Sequence, residues 1–180
     1  VDYYQLTGIQ QFVIIDTNIP EESIVWLAEN CAAPLFADPV STAKAPKLKP
    51  VLGYLHTLKP NRLEAELLSG VPITDSESLN RAADALLETG LRRVFISLGA
   101  EGVFAADHNS RIQLPCLPAE LVNATGCGDA FMAAIAWAYL QGTDLADTAR
   151  AGLAASSIAM ASRETINPSM GEKALTALLR

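Results

Sequence analysis

A chain of 180 residues that is 50% hydrophobic is large and apolar enough to bury one sizeable core, which points to one domain. Its 20 acidic against 13 basic residues give a net charge of -7 without a basic cluster, which argues against nucleic acid or an anionic membrane as the main partner. The 3 cysteines, Cys31, Cys116 and Cys127, are odd in number, far apart and outside any metal-ligand spacing, so they read as reduced thiols of a cytoplasmic protein.

The N-terminus lacks a basic region followed by an apolar one, so no signal peptide is expected. It moves so quickly into a strand pattern over Gln11 to Thr17 that a segment upstream of Val1 is expected. Phe12 to Asp16 is a short apolar run closed by a polar residue, the pattern of a buried parallel strand. Pro20-Glu21-Glu22 opens a helix, with proline near its first position and acids in its first turn, and Ile24, Leu27, Ala28 and Cys31 supply the apolar face. Pro34 to Pro39 is the next strand, and Val40 to Pro50 reads as a loop carrying Lys44, Lys47 and Lys49. Tyr54 to Leu58 is a strand, Asn61 to Ser69 a helix closed by Gly70, and Ser76 to Thr89 a second helix. Arg93 to Ser97 and Val103 to Ala106 are strands around a turn at Gly99 to Gly102, and Arg111 to Cys116 is a further, antiparallel strand.

Val122 to Asp129 is a polar, glycine-bearing turn ahead of an unbroken apolar run from Ala130 to Leu140, which Gly142 then closes. The run is short of the roughly 20 residues that span a bilayer, so it reads as a helix buried in the core. Asp144 to Ser162 is a long helix rich in alanine and serine, Asn167-Pro168 breaks the pattern, and Glu172 to Arg180 is an amphipathic tail. Short strands alternating with helices predict an α/β domain with a mostly parallel sheet, whose ligands bind at the carboxyl ends of the strands. Asp38, Asn61 with Glu64, and Ser97 with Gly99 all follow predicted strands and should gather along that edge.

Free N–H groups at a helix start, aided by the helix dipole, hold anions. Gly126 and Gly128 present no side chain to block a phosphate there, and Asp129 places a carboxylate in the first turn. An anion cradle beside a base is what transfer of a phosphoryl group to a hydroxyl requires. The plainer alternatives are that Thr125 is an N-cap and that Asp129 only answers the dipole. Asn61-Arg62-Leu63-Glu64 is close to a capping box, and the same glutamate at a sheet edge could hold magnesium through water. Ser97 to Gly102 is either a hairpin turn or a close approach of backbone to a nucleotide. Asp38 with Lys44 is either a strand-end acid and a solvated lysine or a polar wall near transferred phosphate. No Gly-Lys-Ser or Gly-Lys-Thr P-loop occurs, and His56 and His108 stand alone.

Taken together, these stretches resemble the ribokinase-like (PfkB) family of ATP-dependent carbohydrate and nucleoside kinases. The family's C-terminal signature, roughly Asp-Thr-x-Gly-Ala-Gly-Asp, corresponds to Asn123-Ala124-Thr125-Gly126-Cys127-Gly128-Asp129. Its Asn-x-x-Glu motif corresponds to Asn61-Arg62-Leu63-Glu64, and its strand and glycine turn at the nucleotide to Ser97 through Gly102. The resemblance implies a ribokinase-like three-layer α/β/α fold with a mostly parallel sheet. Residues 1–180 would be the C-terminal, nucleotide-binding portion of a single kinase domain, without the family's N-terminal strands, Gly-Gly sugar motif and lid.

By the same resemblance Asp129 is the base, Gly126, Cys127 and Gly128 are the anion hole, and Lys59, Asn61, Ser97, Gly99, Gly102 and Thr125 meet the nucleotide. Glu64 would hold Mg2+ through water, and a K+-like ion would lie near the backbone of Asn123, Thr125 and Ser169. The partners implied are ATP and a small sugar or nucleoside. His56 to Glu66, Asp38 to Ser41 and the asparagine at position 123 resemble the family members that phosphorylate pseudouridine at its 5′-hydroxyl. Cys127 stands where the family has alanine, and a thiol at a helix start is expected to have a lowered pKa. Homo-oligomers are a further expectation, because strand edges left open invite self-association.

Overall fold

The structure, a computed structural model, describes residues 11–118 and 122–179. The signal-peptide reading of the first ten residues and the place of Arg180 in the C-terminal tail lie outside the described residues. Among these, six strands form one sheet in sequential order: β1 (Val13–Asp16), β2 (Leu35–Asp38), β3 (Leu55–Leu58), β4 (Arg93–Ser97), β5 (Val103–Asp107) and β6 (Arg111–Leu114). Strands β1 to β4 are parallel, and β5 runs antiparallel to both of its neighbours, β4 and β6.

Helix α1 (Glu21–Asn30), a 3-10 helix (Ala45–Tyr54) and the pair α2 (Arg62–Ser69) and α3 (Ser76–Glu88) connect the parallel strands. A strand order that never reverses, combined with right-handed crossovers, sends all of these connections over one face. The opposite face is left to α4 (Cys127–Leu140) and α5 (Leu145–Met160), with α6 (Glu172–Leu178) packed on α5. This is the expected three-layer α/β/α arrangement.

Alternation along the strands divides the core between the two faces. Leu35, Ala37, Val94, Ile96, Phe104 and Ala106 pack beneath α1, α2 and α3. Phe36, Phe95, Val103 and Ala105 point the other way, onto Phe131, Met132 and Ile135 of α4. The reverse side of α4 meets small residues of α5, with Ala134 and Ala138 against Ala151, Ala154 and Ala155. Covered by the sheet on one side and α5 on the other, α4 is apolar all round because it has little solvent face. No helix among the described residues is long and apolar enough to cross a membrane.

Two local expectations need correction. The predicted loop over Val40 to Pro50 winds from Ala45 into a 3-10 helix that buries Leu48, Val51 and Leu52. Pro46 and Pro50 oppose a regular α-helix, and burial of the leucines outweighs their breaker signal. Strand β6 stops at Leu114 rather than Cys116, because Pro115 has no N–H to continue the ladder. Helix α4 begins at Cys127 in the polar turn, with Asp129 in its first turn as expected.

Candidate active site at the carboxyl edge of the sheet

The expected strand-end residues do gather. Asp38 ends β2, Lys59 to Asn61 follow β3, and Ser97 ends β4. Backbone bonds extend the sheet past its regular strands: the Lys59 N–H donates to the Ala37 carbonyl at 3.0 Å and the Ser97 N–H to that of Pro60 at 2.9 Å. Asn61 and Ser97 form a further parallel bridge. The turns carrying the candidate groups are therefore held to the sheet by its own hydrogen bonding.

At the entrance to α4, Gly126 adopts φ 84° as the N-cap residue. A β-carbon there would lie 2.4 Å from the Thr165 carbonyl oxygen, so both conformation and space require glycine. The Thr125 N–H donates to Asn123 Oδ1 at 2.9 Å, and the Cys127 N–H donates to the Ala124 carbonyl at 3.3 Å. The N–H groups of Gly126, Gly128 and Asp129 have no acceptor among the described residues. No side chain caps the helix, so Thr125 is not the N-cap that its sequence position allowed. Gly128 and Asp129 are exposed at this opening.

Cys127 departs from its expected chemistry. Its Sγ lies 3.7 Å from the Ser156 carbonyl and 4.0 Å from that of Asn123, so the thiol faces α5. Burial pushes its pKa up, where the helix start alone predicted a lowered value. A thiol lowered by its surroundings needs a cation or a solvated N-terminus, and here desolvation prevails.

Lys59 is buried, and its Nζ pairs with Asp38 Oδ2 at 2.9 Å. The same Nζ would stand 3.4 Å from a β-carbon on Gly128, which brings the pair against the first turn of α4. The sequence suggested Lys44 as the neighbour of Asp38; Lys44 instead donates to Asn18 Oδ1 at 2.5 Å. The other carboxylate oxygen of Asp38 accepts the N–H of Val40 at 2.8 Å. Val40 has φ 63°, a left-handed conformation that costs a β-branched residue about 1–3 kcal/mol. Thr17 Oγ1 donates to the Pro39 carbonyl at 2.5 Å and secures the same turn. Neither Thr17 nor Val40 carried a signal in the sequence, since their parts depend on contacts between separate strands.

Asn61 and Glu64 form the full reciprocal capping box. The Glu64 N–H donates to Asn61 Oδ1 at 2.9 Å, and the Asn61 N–H donates to Glu64 Oε2 at 2.8 Å. Glu64 is only 3% exposed. Desolvation raises its pKa, the nearby Asp38 carboxylate raises it further, and the Asn61 N–H and Lys59 oppose the shift. Capping and charge thus meet in one side chain.

Other predicted residues divide. Gly99 has φ 62° with open space beside it, and its carbonyl accepts from Cys116 Sγ at 3.2 Å. Gly102 is buried, and a β-carbon on it would come within 1.9 Å of the Leu114 carbonyl, so the approach of β6 already explains this glycine. Asn123 Nδ2 donates to the Arg163 carbonyl at 3.2 Å, tying the turn before α4 to the segment after α5. Ser169 lies further along that segment, where its N–H donates to Asn167 Oδ1 at 2.9 Å; no hydrogen bond joins it to Asn123 or Thr125. Two surface depressions lie elsewhere, one lined by Leu63, Leu67 and Pro72 and the other along α1 at Glu22, Val25 and Trp26.

A helix start with free N–H groups, a paired lysine and a buried carboxylate thus lie near the carboxyl edge of one sheet, where α/β proteins bind ligands. The pattern of the pfkB family of carbohydrate kinases matches residues 1–171, and the chain belongs to that family. It is 37% identical over 160 residues to the pseudouridine kinase of Escherichia coli (strain K12), a match covering 88% of this chain and 51% of that protein. The fold superposes on the ribokinase of Thermotoga maritima with a TM-score of 0.83 at 25% identity, covering 94% of this chain and 57% of that one. Against the Arabidopsis thaliana ribokinase complexed with ribose and ATP, the TM-score is 0.80 at 26% identity, covering 94% of this chain and 56% of that one. The chain spans about half the length of the curated relatives it matches.

Proposed function

We propose that this chain is the nucleotide-binding portion of an ATP-dependent kinase that phosphorylates a hydroxyl of a sugar or nucleoside, with pseudouridine as the acceptor. One observation carries the reading: the free N–H groups of Gly128 and Asp129, the Lys59 ammonium beside them and the exposed Asp129 carboxylate share one opening. Phosphoryl transfer asks little covalent chemistry of a protein and depends on positioning and charge stabilisation. The free N–H groups of Gly126 and Gly128, with Lys59, would receive the terminal phosphate, while the Cys127 N–H is held by the Ala124 carbonyl and takes no part. Asp129 would accept the proton of the acceptor hydroxyl. Asn61, Ser97, Gly99 and Thr125 would meet the rest of the nucleotide, and a monovalent cation would draw on carbonyls of the Asn123 turn.

Magnesium would be held through water by the buried Glu64, because this ion keeps much of its hydration and often takes only one or two carboxylates. No cluster of three metal-ligating side chains occurs among the described residues. When bound, the ion would neutralise charge on the phosphates.

Pseudouridine rests on the 37% identity to the kinase of that name, and ribose or another family acceptor is the neighbouring choice. The test is a phosphoryl-transfer assay with Mg-ATP across pseudouridine, uridine, ribose and deoxyribose. The reading expects pseudouridine to lead by kcat/KM, and a lead for ribose would move the acceptor while keeping the reaction. Because the matched share of the relatives is about half, a second reading is a portion that binds nucleotide without turnover. Calorimetric binding of Mg-ATP with no transfer to any acceptor would favour it.

A further inference from the structure

We propose that Asp38 is a positioning residue for the transferred phosphoryl group and acts through Lys59, an inference that rests on the kinase reading above. The Lys59 and Asp38 side chains are 9% and 17% exposed, and their charged atoms are 2.9 Å apart. The ammonium also stands against Gly128, at the positive end of the α4 dipole. A cation placed there is opposed twice, by lost hydration and by the dipole. Something must hold it.

Among the described residues, Asp38 is the hydrogen-bonding partner of Lys59 Nζ. Glu64 feels both charges, but its Oε2 is taken by the Asn61 N–H. Asp38 is itself fixed from behind, where its Oδ1 accepts the Val40 N–H in the left-handed turn that Thr17 secures. The strained turn therefore aims a carboxylate, and the carboxylate holds an ammonium beside the free N–H groups of α4. An arriving terminal phosphate would find its cation already in place, without the entropy cost of ordering a free lysine. The turn, the acid and the lysine act in series, and only the last would touch the phosphate.

The experiment is calorimetric titration of Mg-ATP and of Mg-ADP into the wild type, D38N, K59M and D38N/K59M, with thermal melts of each. An Asp38 that works through Lys59 lowers the preference for ATP over ADP about tenfold in D38N and in K59M, the scale of one charge-assisted contact. The double variant then loses no more than K59M alone. Equal weakening of both nucleotides with a lowered Tm would mean a pair that merely ties β2 to β3, and would overturn the inference. Losses that multiply in the double variant would show Asp38 acting on its own, and would overturn it as well. If D38N fails to fold, the neutral pair in D38N/K59M compared with K59M still decides the matter. A wild type that binds neither nucleotide rejects the kinase reading itself, and this inference with it. A wild type that binds ATP while D38N keeps the full ATP preference rejects the inference alone.

Discussion

Cys127 and Ser156 each approach the other's backbone carbonyl across the interface of α4 and α5. Ser156 Oγ donates to the Cys127 carbonyl at 3.1 Å, and Cys127 Sγ faces the Ser156 carbonyl at 3.7 Å. The thiol is thereby turned away from the anion opening and partly desolvated, which raises its pKa. Iodoacetamide should therefore modify Cys127 more slowly than free cysteine at pH 7, with the rate climbing only in alkaline solution. Peptide mass spectrometry over a pH series reads this directly, and rapid labelling at pH 7 would contradict the geometry.

Asp129 stands exposed at the start of α4, with no partner among the described residues. An Asp129→Asn substitution keeps its size and should leave the fold and Mg-ATP binding nearly unchanged. Turnover with the acceptor should fall about 10²–10⁴-fold, the usual contribution of a positioned base. Steady-state kinetics beside calorimetry separates the two effects, and unimpaired turnover would remove Asp129 from the reaction.

Glu64 joins a structural and a chemical demand. Its raised pKa means that the folded chain holds this proton more tightly than the unfolded chain, whose value is 4.5. Its contribution to stability therefore grows as pH falls through the raised value and levels off below 4.5. Glu64→Gln retains the oxygen that caps Asn61 and removes the buried charge. Its Tm at pH 7 should equal or exceed that of the wild type, while Mg-ATP affinity falls about tenfold or more. A marked drop in Tm would show that the charge itself stabilises the fold.

His56 stacks on Phe36 with ring centroids 5.3 Å apart and meets Tyr139 edge-on at 4.8 Å. Burial, then the positive charges of Arg93 and Arg92, lower its pKa from 6.5 to about 4. Between those values the unfolded chain binds the proton and the folded chain does not. The stability from a neutral His56 is complete above pH 6.5 and is lost as pH falls towards about 4. Denaturant melts from pH 7 to 4 should show this decline, and His56→Phe, which keeps a ring in the stack, should flatten it.

Gly152 lies where α5 crosses Phe131, and a β-carbon there would come within 2.5 Å of the ring. Phe131 is itself packed edge-on against Phe95 of β4, with centroids 6.1 Å apart, so the ring has little room to yield. Gly152→Ala should destabilise by about 1–3 kcal/mol despite the higher helix propensity of alanine, as measured by urea denaturation. A stabilised variant would mean that the two helices can separate slightly at no cost.

The sequence alone determined the alternation of strands and helices, the buried helix after the glycine turn, and the gathering of Asp38, Asn61 and Ser97 on one edge. Each is written in local patterns, in periodicity, in breakers such as Pro39 and Gly70, and in the reciprocal Asn61 and Glu64 cap. Periodicity was silent on partners distant in the chain. It offered Lys44 for Asp38 where the fold supplies Lys59, and a helix start for Cys127 where α5 supplies burial. It read Val40 to Pro50 as a lysine-bearing loop, whereas burial of Leu48 and Val51 in a 3-10 helix is decided by the rest of the core. Ion pairs, pKa values and close approaches depend on distance in space, and strand register and helix packing set that distance only when the chain has folded.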